Sequence, residues 1–170
     1  TIFKESIDKY HLLDKIDQDF ENPYPDDSLE HLLYRKNWID TVQWHYEDLI
    51  RDPEIDPIEG MKLKRMIDSS NQNRTEMVEY IDSYFLNLYS DITPIDNAKV
   101  NTESPAWAID RLSILILKIY HMKEESIRKD VSDEHKNNCH KKLVILLEQQ
   151  NDLAESIDQL LDDLYKGNKK

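Results

Sequence analysis

Glycine and cysteine are nearly absent from this sequence. Only Gly60 and Gly167 occur among the 170 residues, whereas hairpins, bulges and phosphate-binding loops need glycine where φ is positive or where backbones approach closely. Neither a P-loop nor a dinucleotide-binding fingerprint is present. The single cysteine, Cys139, excludes an internal disulfide and is typical of a reducing compartment. These shortages argue against a sheet-rich fold and against the common nucleotide-binding loops.

Basic charge and long apolar runs are scarce as well. The net charge of −13 predicts no nucleic-acid partner, because phosphate backbones are bound by neutralising cations. The longest apolar run, Leu143–Leu147, is far below the ~18 residues of a membrane span, so we expect no span and a cytoplasmic location. The basic tail from Lys166 to Lys170 is interpreted as a frayed end. The chain opens at Thr1 rather than at a methionine, and we expect residues upstream.

What is present favours amphipathic helices. Hydrophobic residues make up 39% and charged residues 34% of the chain, which suits helices with one solvated face. Apolar residues recur at alternating steps of three and four, and proline pairs or capping residues separate the segments. The first helix is predicted over about Ile2–Phe20, and the other four begin at Asp27, Asp56, Ser104 and Ser132.

The third and fifth helices are each about thirty residues long, or roughly 50 Å. Helices of this kind are not stable alone in water, so their apolar stripes must be buried against one another. Short connections after the second and fourth helices predict antiparallel neighbours. The predicted fold is all-α, an antiparallel up-down bundle of about five helices. We expect one domain over residues 1–170, with a peripheral helix at 1–20 and the main bundle at 28–165.

The antiparallel arrangement also predicts which residues face each other. Between the second and third helices, His45 is expected near Lys64 and Arg65, and Arg35 near Arg74. Between the fourth and fifth helices, the predicted register places Arg111 opposite Gln150 and His121 opposite His140.

One concentration of polar residues lies near the turn after the second helix. An exposed tryptophan beside a carboxylate and an arginine is suited to binding a ligand or a partner, and Trp44, Asp48 and Arg51 share one helical stripe. The alternative is that Trp44 packs under the first helix while Asp48 and Arg51 pair on the surface. The candidate residues here are Trp44, His45, Glu47, Asp48 and Arg51.

A second concentration lies at the start of the fourth helix. Free N–H groups and a partial positive charge at a helix N-terminus favour an anion. The alternative is that Glu103 and Ser104 only cap the helix and that Arg111 pairs with Asp82. The candidate residues here are Glu103, Trp107, Asp110 and Arg111.

Two polar residues interrupt the apolar seams: Arg74 in the third helix and Gln150 in the fifth. Because an unpaired buried charge is costly, Arg74 is expected to contact a carboxylate or to reach water. These residues either fix the helix register or line an internal site. In the second case Asn71, Lys118 and His121 would join Arg74.

Metal and catalytic signatures are not recognisable. The spacing of His135, Cys139 and His140 fits no common zinc motif. Acid-rich helices are similar to those of all-helical nucleotide pyrophosphohydrolases, which bind magnesium through paired acids. Here the Glu47–Asp48 pair would lie about 25 Å from Glu79, too far to share a metal. We predict neither a metal nor a cofactor.

Two segments carry a family resemblance: Gln43–Arg51 (QWHYEDLIR) and Asn101–Met122 (NTESPAWAIDRLSILILKIYHM). They resemble an uncharacterised bacterial domain-of-unknown-function family found mainly in Bacteroidetes, over about Leu29 to Leu161. The resemblance implies a compact helical protein in a cytoplasmic bacterial setting and assigns no catalytic residue. It also points to a pathway of envelope glycan synthesis.

The sequence therefore predicts a binding or protein-interaction module whose partner is an unidentified protein or a small anionic ligand. The alternative is a metal-assisted enzyme acting on a nucleotide or a sugar-phosphate through carboxylates and Arg74 or Arg111. A further alternative is a homodimer formed through the long seams.

Overall fold

The computed structural model describes residues 1–170, and the chain is all-helical, as the sequence predicts. No helix is long and apolar enough to cross a membrane. One isolated bridge pairs Lys99 with Lys169. The helices are α1 (Ile2–Tyr10), α2 (Leu29–Leu49), α3 (Pro57–Leu88), α4 (Pro105–Ile127) and α5 (Asp133–Tyr165).

The chain forms two compact units, Thr1–Ile81 and Asp82–Lys170. Helix α3 runs without a break through the boundary between them. The first unit contains α1, α2 and most of α3, and the second contains the end of α3 with α4 and α5. The expectation of one domain over residues 1–170 stays a prediction.

Side-chain caps start most of the helices where the sequence places them. The side chain of Asp56 accepts hydrogen bonds at the start of α3, and Ser104 and Ser132 cap α4 and α5. The expected start of α2 at Asp27 is wrong by one residue, because the hydroxyl of Ser28 accepts the N–H of His31. Each cap satisfies an N–H that lacks a partner within the helix.

The first helix is shorter than predicted, since α1 ends at Tyr10 rather than near Phe20. Asp14 adopts a left-handed conformation with φ of 52°, and its N–H donates to the Tyr10 carbonyl. Aspartate tolerates this conformation better than most residues. The chain then turns back and brings Phe20 to 5.3 Å from Trp38, measured between ring centroids.

Helix α1 packs on α2 through a core that includes Tyr10, Tyr34 and Trp38. Helices α2 and α3 run antiparallel, since Asp40 contacts Arg74 and Gln43 donates to Asn71. The predicted register here is wrong by about one helical turn, because Arg74 lies beside Asp40 rather than beside Arg35.

In the second unit, α4 packs against α5. His135 lies 3.0 Å from Glu125 near the connecting turn, in agreement with the predicted antiparallel register. The α5 seam is turned away from solvent, as the periodicity predicts, and none of its members is exposed. They are Cys139, Leu143, Leu146, Gln150, Leu153, Ile157, Leu160 and Leu164.

Candidate functional sites

A buried ion cluster lies between α2 and α3 in the first unit. Lys36 is 0% exposed, and its Nζ lies 2.5 Å from Oδ2 of Asp40. The other oxygen of the same carboxylate, Oδ1, lies 3.0 Å from Nε of Arg74. One carboxylate thus stands between two cations. The expectation that Arg74 contacts a carboxylate is confirmed.

The polar face that carries this cluster follows directly from helix geometry. Lys36, Asn37, Asp40 and Thr41 are all buried, and their spacing places them side by side on α2. Sequence reasoning missed Lys36 and Asp40. Their only signal was a Lys and an Asp four residues apart, which is the pattern of an exposed helical ion pair.

His45 is held by α1 rather than open to a ligand. The hydroxyl of Tyr10 and Nδ1 of His45 are 2.7 Å apart, and the two rings meet edge to face. Burial, with the nearby Asp14 carboxylate second, raises the pKa of Tyr10 far above its ordinary value. The neutral phenol is therefore the form that the folded protein stabilises.

This shift predicts a pH dependence. In the unfolded chain Tyr10 loses its proton near pH 10, while the folded protein keeps it, so the stabilisation is full below pH 10 and is lost as pH rises above it. Replacing Tyr10 by Phe should flatten the fall of unfolding free energy above pH 10 and cost about 1 kcal/mol at pH 7 through the lost hydrogen bond. Denaturant unfolding at a series of pH values measures both the slope above pH 10 and the cost at pH 7. Tyr80→Phe, at an exposed tyrosine, should keep the wild-type slope.

The other residues predicted near the end of α2 are mostly surface features. Arg51 and Asp48 form an exposed ion pair at 2.9 Å, which agrees with the alternative of surface pairing. The expectation of an exposed Trp44 is wrong, since this side chain is half-buried, as is Glu47. The structure therefore pairs Arg51 with Asp48 at the surface, and none of the five candidate residues lines the cavity of the second unit described below.

At the start of α4 the predicted residues divide in two. Trp107 is 44% exposed and lies beside Arg111, whose Nε contacts Glu103 Oε2 at 2.9 Å. The expected pairing of Arg111 with Asp82 is wrong. Asp110 is buried instead.

Further along α4, Lys118 is exposed and His121 is half-buried. The two side chains therefore occupy different environments on the same helix.

The turn between α4 and α5 holds a compact polar cluster. Nε2 of His135 lies 3.0 Å from Glu125 and 3.4 Å from the sulfur of Cys139. The hydrogen bond from His135 lowers the pKa of Glu125, and the one from Arg128 lowers the pKa of Asp130 to about 2. Both contacts use the same nitrogen of His135, so the cluster lacks the relay of a catalytic triad. No group of three or more potential ligands is arranged to hold a metal ion.

A feature suited to a ligand is a cavity of about 550 Å³ in the second unit. Phe85, Leu160 and Leu164 belong to its apolar wall. Asn101, Thr102, Glu103 and Ser104 form a polar side at the start of α4, with Lys169 and Lys170 also in the lining. Of the residues predicted at this helix start, Glu103 lines the cavity, whereas Trp107, Asp110 and Arg111 do not.

The C-terminal tail builds one edge of this cavity. The Gly167 carbonyl accepts the N–H of Ile95, and the Asn168 carbonyl accepts that of Lys99. The N–H of Lys170 in turn donates to the Lys99 carbonyl. The interpretation of the tail as a frayed end is wrong, because backbone hydrogen bonds fix it to the segment between α3 and α4. Sequence reasoning missed this because such pairing depends on backbone atoms alone.

Comparisons with known proteins place the chain within one family. The model of a family described as "Protein of unknown function (DUF4254)" matches residues 30–170. This match confirms the resemblance to a family of unknown function. No curated protein and no solved structure matches the chain.

Proposed function

Since the chain belongs to the DUF4254 family, whose description gives no activity, we propose from its geometry that the protein binds a small molecule in the cavity of the second unit. The observation that carries this proposal is the combination of volume and lining. About 550 Å³ lies within the range of roughly 300–1,000 Å³ that is typical of small-molecule sites.

The lining indicates a ligand with an apolar body and one polar end. Aromatic and aliphatic side chains exclude water from most of the wall, while a few polar groups collect at the α4 side. Lys169 and Lys170 support an anionic end, whereas Asp82 and Glu103 in the same lining oppose it. The charge of the ligand's polar end therefore stays a prediction, and so does the small anionic ligand that the sequence leads us to expect.

A substitution at the mouth of the cavity tests the proposal. Leu86 lines the cavity and is 73% exposed, so a tryptophan there should fold normally and obstruct entry. Fluorescence titration with the neutral probe N-phenyl-1-naphthylamine should show saturable one-to-one binding to the wild type. We expect Leu86→Trp to weaken this binding by at least about tenfold, because a probe that is kept out of the cavity buries less of its apolar surface.

Leu88→Trp is the matched control. Leu88 lies on the same helix, is also exposed and does not line the cavity, so its variant should bind the probe like the wild type. Equal loss in both variants, or wild-type binding that never saturates, would refute the proposal. The sulfonated analogue 8-anilinonaphthalene-1-sulfonate, titrated in parallel, reports whether a negative end is favoured.

The other expectations from the sequence stay predictions. Protein interaction through Trp107 and Arg111 is supported by their exposure, and single substitutions there should weaken capture of a partner. Turnover of nucleotides or sugar-phosphates with magnesium or manganese would instead support the enzyme alternative. Light scattering tests the homodimer. The net charge of −13 and the single cysteine support a cytoplasmic protein that binds no nucleic acid.

A further inference from the structure

The first unit contains a second, smaller cleft that none of the sequence predictions identified. It has a volume of about 400 Å³ and lies along the contact between α2 and α3, next to Phe20. Its lining combines three aromatic rings with three polar side chains. These are Phe20, Trp38 and Tyr80, and Arg35, Asn73 and Glu76.

The aromatic rings favour a planar ligand. Trp38 is 6% exposed and Met77 is buried as well, so these two lining residues form the floor of the cleft. Phe20 is fixed on Trp38 at a centroid distance of 5.3 Å, and Tyr80 is exposed at the opening. Flat heterocycles gain affinity by stacking on such rings.

The polar side chains add two kinds of recognition. Asn73 and Glu76 are three residues apart, so they project from the same side of α3. A carboxamide offers a donor and an acceptor, and a carboxylate offers acceptors only. Gln72 donates to Glu76 at 3.2 Å and restrains its carboxylate. Asn73 and Glu76 together are suited to a ring edge that presents adjacent N–H donors next to a carbonyl.

The third polar residue, Arg35, supplies positive charge. This residue is exposed and lines the cleft, whereas the neighbouring Lys36 is buried and paired with Asp40. Arginine binds phosphate oxygens through two parallel hydrogen bonds. A ligand that stacks on the aromatic floor can therefore direct a phosphate towards Arg35.

From this juxtaposition we infer that the cleft binds a guanine nucleoside monophosphate. The guanine edge presents two adjacent N–H donors to Glu76 and a carbonyl to Asn73, the ring stacks on the aromatic side chains, and the phosphate pairs with Arg35. Adenine lacks the two adjacent donors. The site lies in the first unit and is independent of the cavity in the second.

Calorimetric titration of the full chain with guanosine monophosphate tests the inference, with guanosine and adenosine monophosphate as comparison ligands. The wild type should bind guanosine monophosphate saturably and more tightly than both. Arg35→Gln should weaken the binding of guanosine monophosphate about tenfold and leave the affinity for guanosine within about twofold of the wild type, because only the phosphate contact is lost. Glu76→Gln should weaken both guanine ligands about tenfold, through the ring contact.

Arg51→Gln is the control, because Arg51 is also an exposed arginine, lies just after the end of α2 and does not line the cleft. The affinity of the Arg51→Gln variant for guanosine monophosphate should match that of the wild type. Circular dichroism should show that all three variants are folded. Equal losses in Arg35→Gln and Arg51→Gln would overturn the inference. So would wild-type protein that does not saturate at millimolar nucleotide, or that binds adenosine monophosphate equally well. The probe titrations of the other cavity are unaffected by any of these results.

Discussion

Replacing Asp40 by asparagine is expected to lower the free energy of unfolding by about 3–5 kcal/mol, because it leaves two cations without the buried carboxylate between them. Lys36 and Asp40 are both buried, and Arg74 contacts the same carboxylate. Charges cannot return to water without opening the contact between α2 and α3. Denaturant unfolding measured for wild type and variant at the same pH gives the difference.

Asp48→Asn is the matched control for this substitution. Asp48 lies on the same helix and also pairs with a cation, Arg51, but both are exposed, so its loss should cost below about 1 kcal/mol. A cost for Asp40→Asn no larger than that of Asp48→Asn would contradict the buried cluster. Joint replacement of Lys36, Asp40 and Arg74 by Met, Leu and Met should recover most of the lost stability, because apolar residues fill the same space without a desolvation cost.

Gly167→Ala is expected to release the C-terminal tail. Gly167 has φ of +72°, and a Cβ there would lie 2.9 Å from the carbonyl oxygen of Thr93. The left-handed conformation alone costs a non-glycine residue roughly 1–2 kcal/mol. The amides of Ile95 and Lys99, which donate to the tail, should then exchange faster with deuterium. N-phenyl-1-naphthylamine should also bind more weakly, since Lys169 and Lys170 line the cavity.

Gly60→Ala provides a control of opposite sign. Gly60 lies in helix α3, and a Cβ there would make an ordinary contact of 3.7 Å with Ile55. Alanine should stabilise this helix by roughly 0.5–1 kcal/mol. If both glycine variants shift stability in the same direction, the strain assigned to Gly167 is wrong.

Much of the architecture could be predicted because it depends on local rules. The α5 seam, with Cys139, Leu143, Ile157 and Leu160 among its members, was predicted from spacing alone, and all four are buried. Ser104 and Ser132 were identified as caps because a hydroxyl at that position satisfies a free N–H whatever the rest of the fold does. The end of α1 was predicted poorly, since the turn at Asp14 gives only a weak local signal.

The sites depend on contacts between residues far apart in the sequence. Lys36 and Asp40 match the pattern of a solvent-exposed pair, and only the packing of α3 against α2 buries them beside Arg74. The cavity and the cleft likewise combine residues from segments that no periodicity relates.

The scarcity of glycine and the regular apolar spacing determined an all-helical protein, because backbone conformation and amphipathicity are local properties. Which polar residues are buried, which remain at the surface and where a ligand fits were decided only by the tertiary structure. These properties depend on solvent exclusion, which arises when distant segments pack together. The two glycines show this difference, because Gly60 is an ordinary position in a helix whereas Gly167 holds the tail at the edge of a cavity.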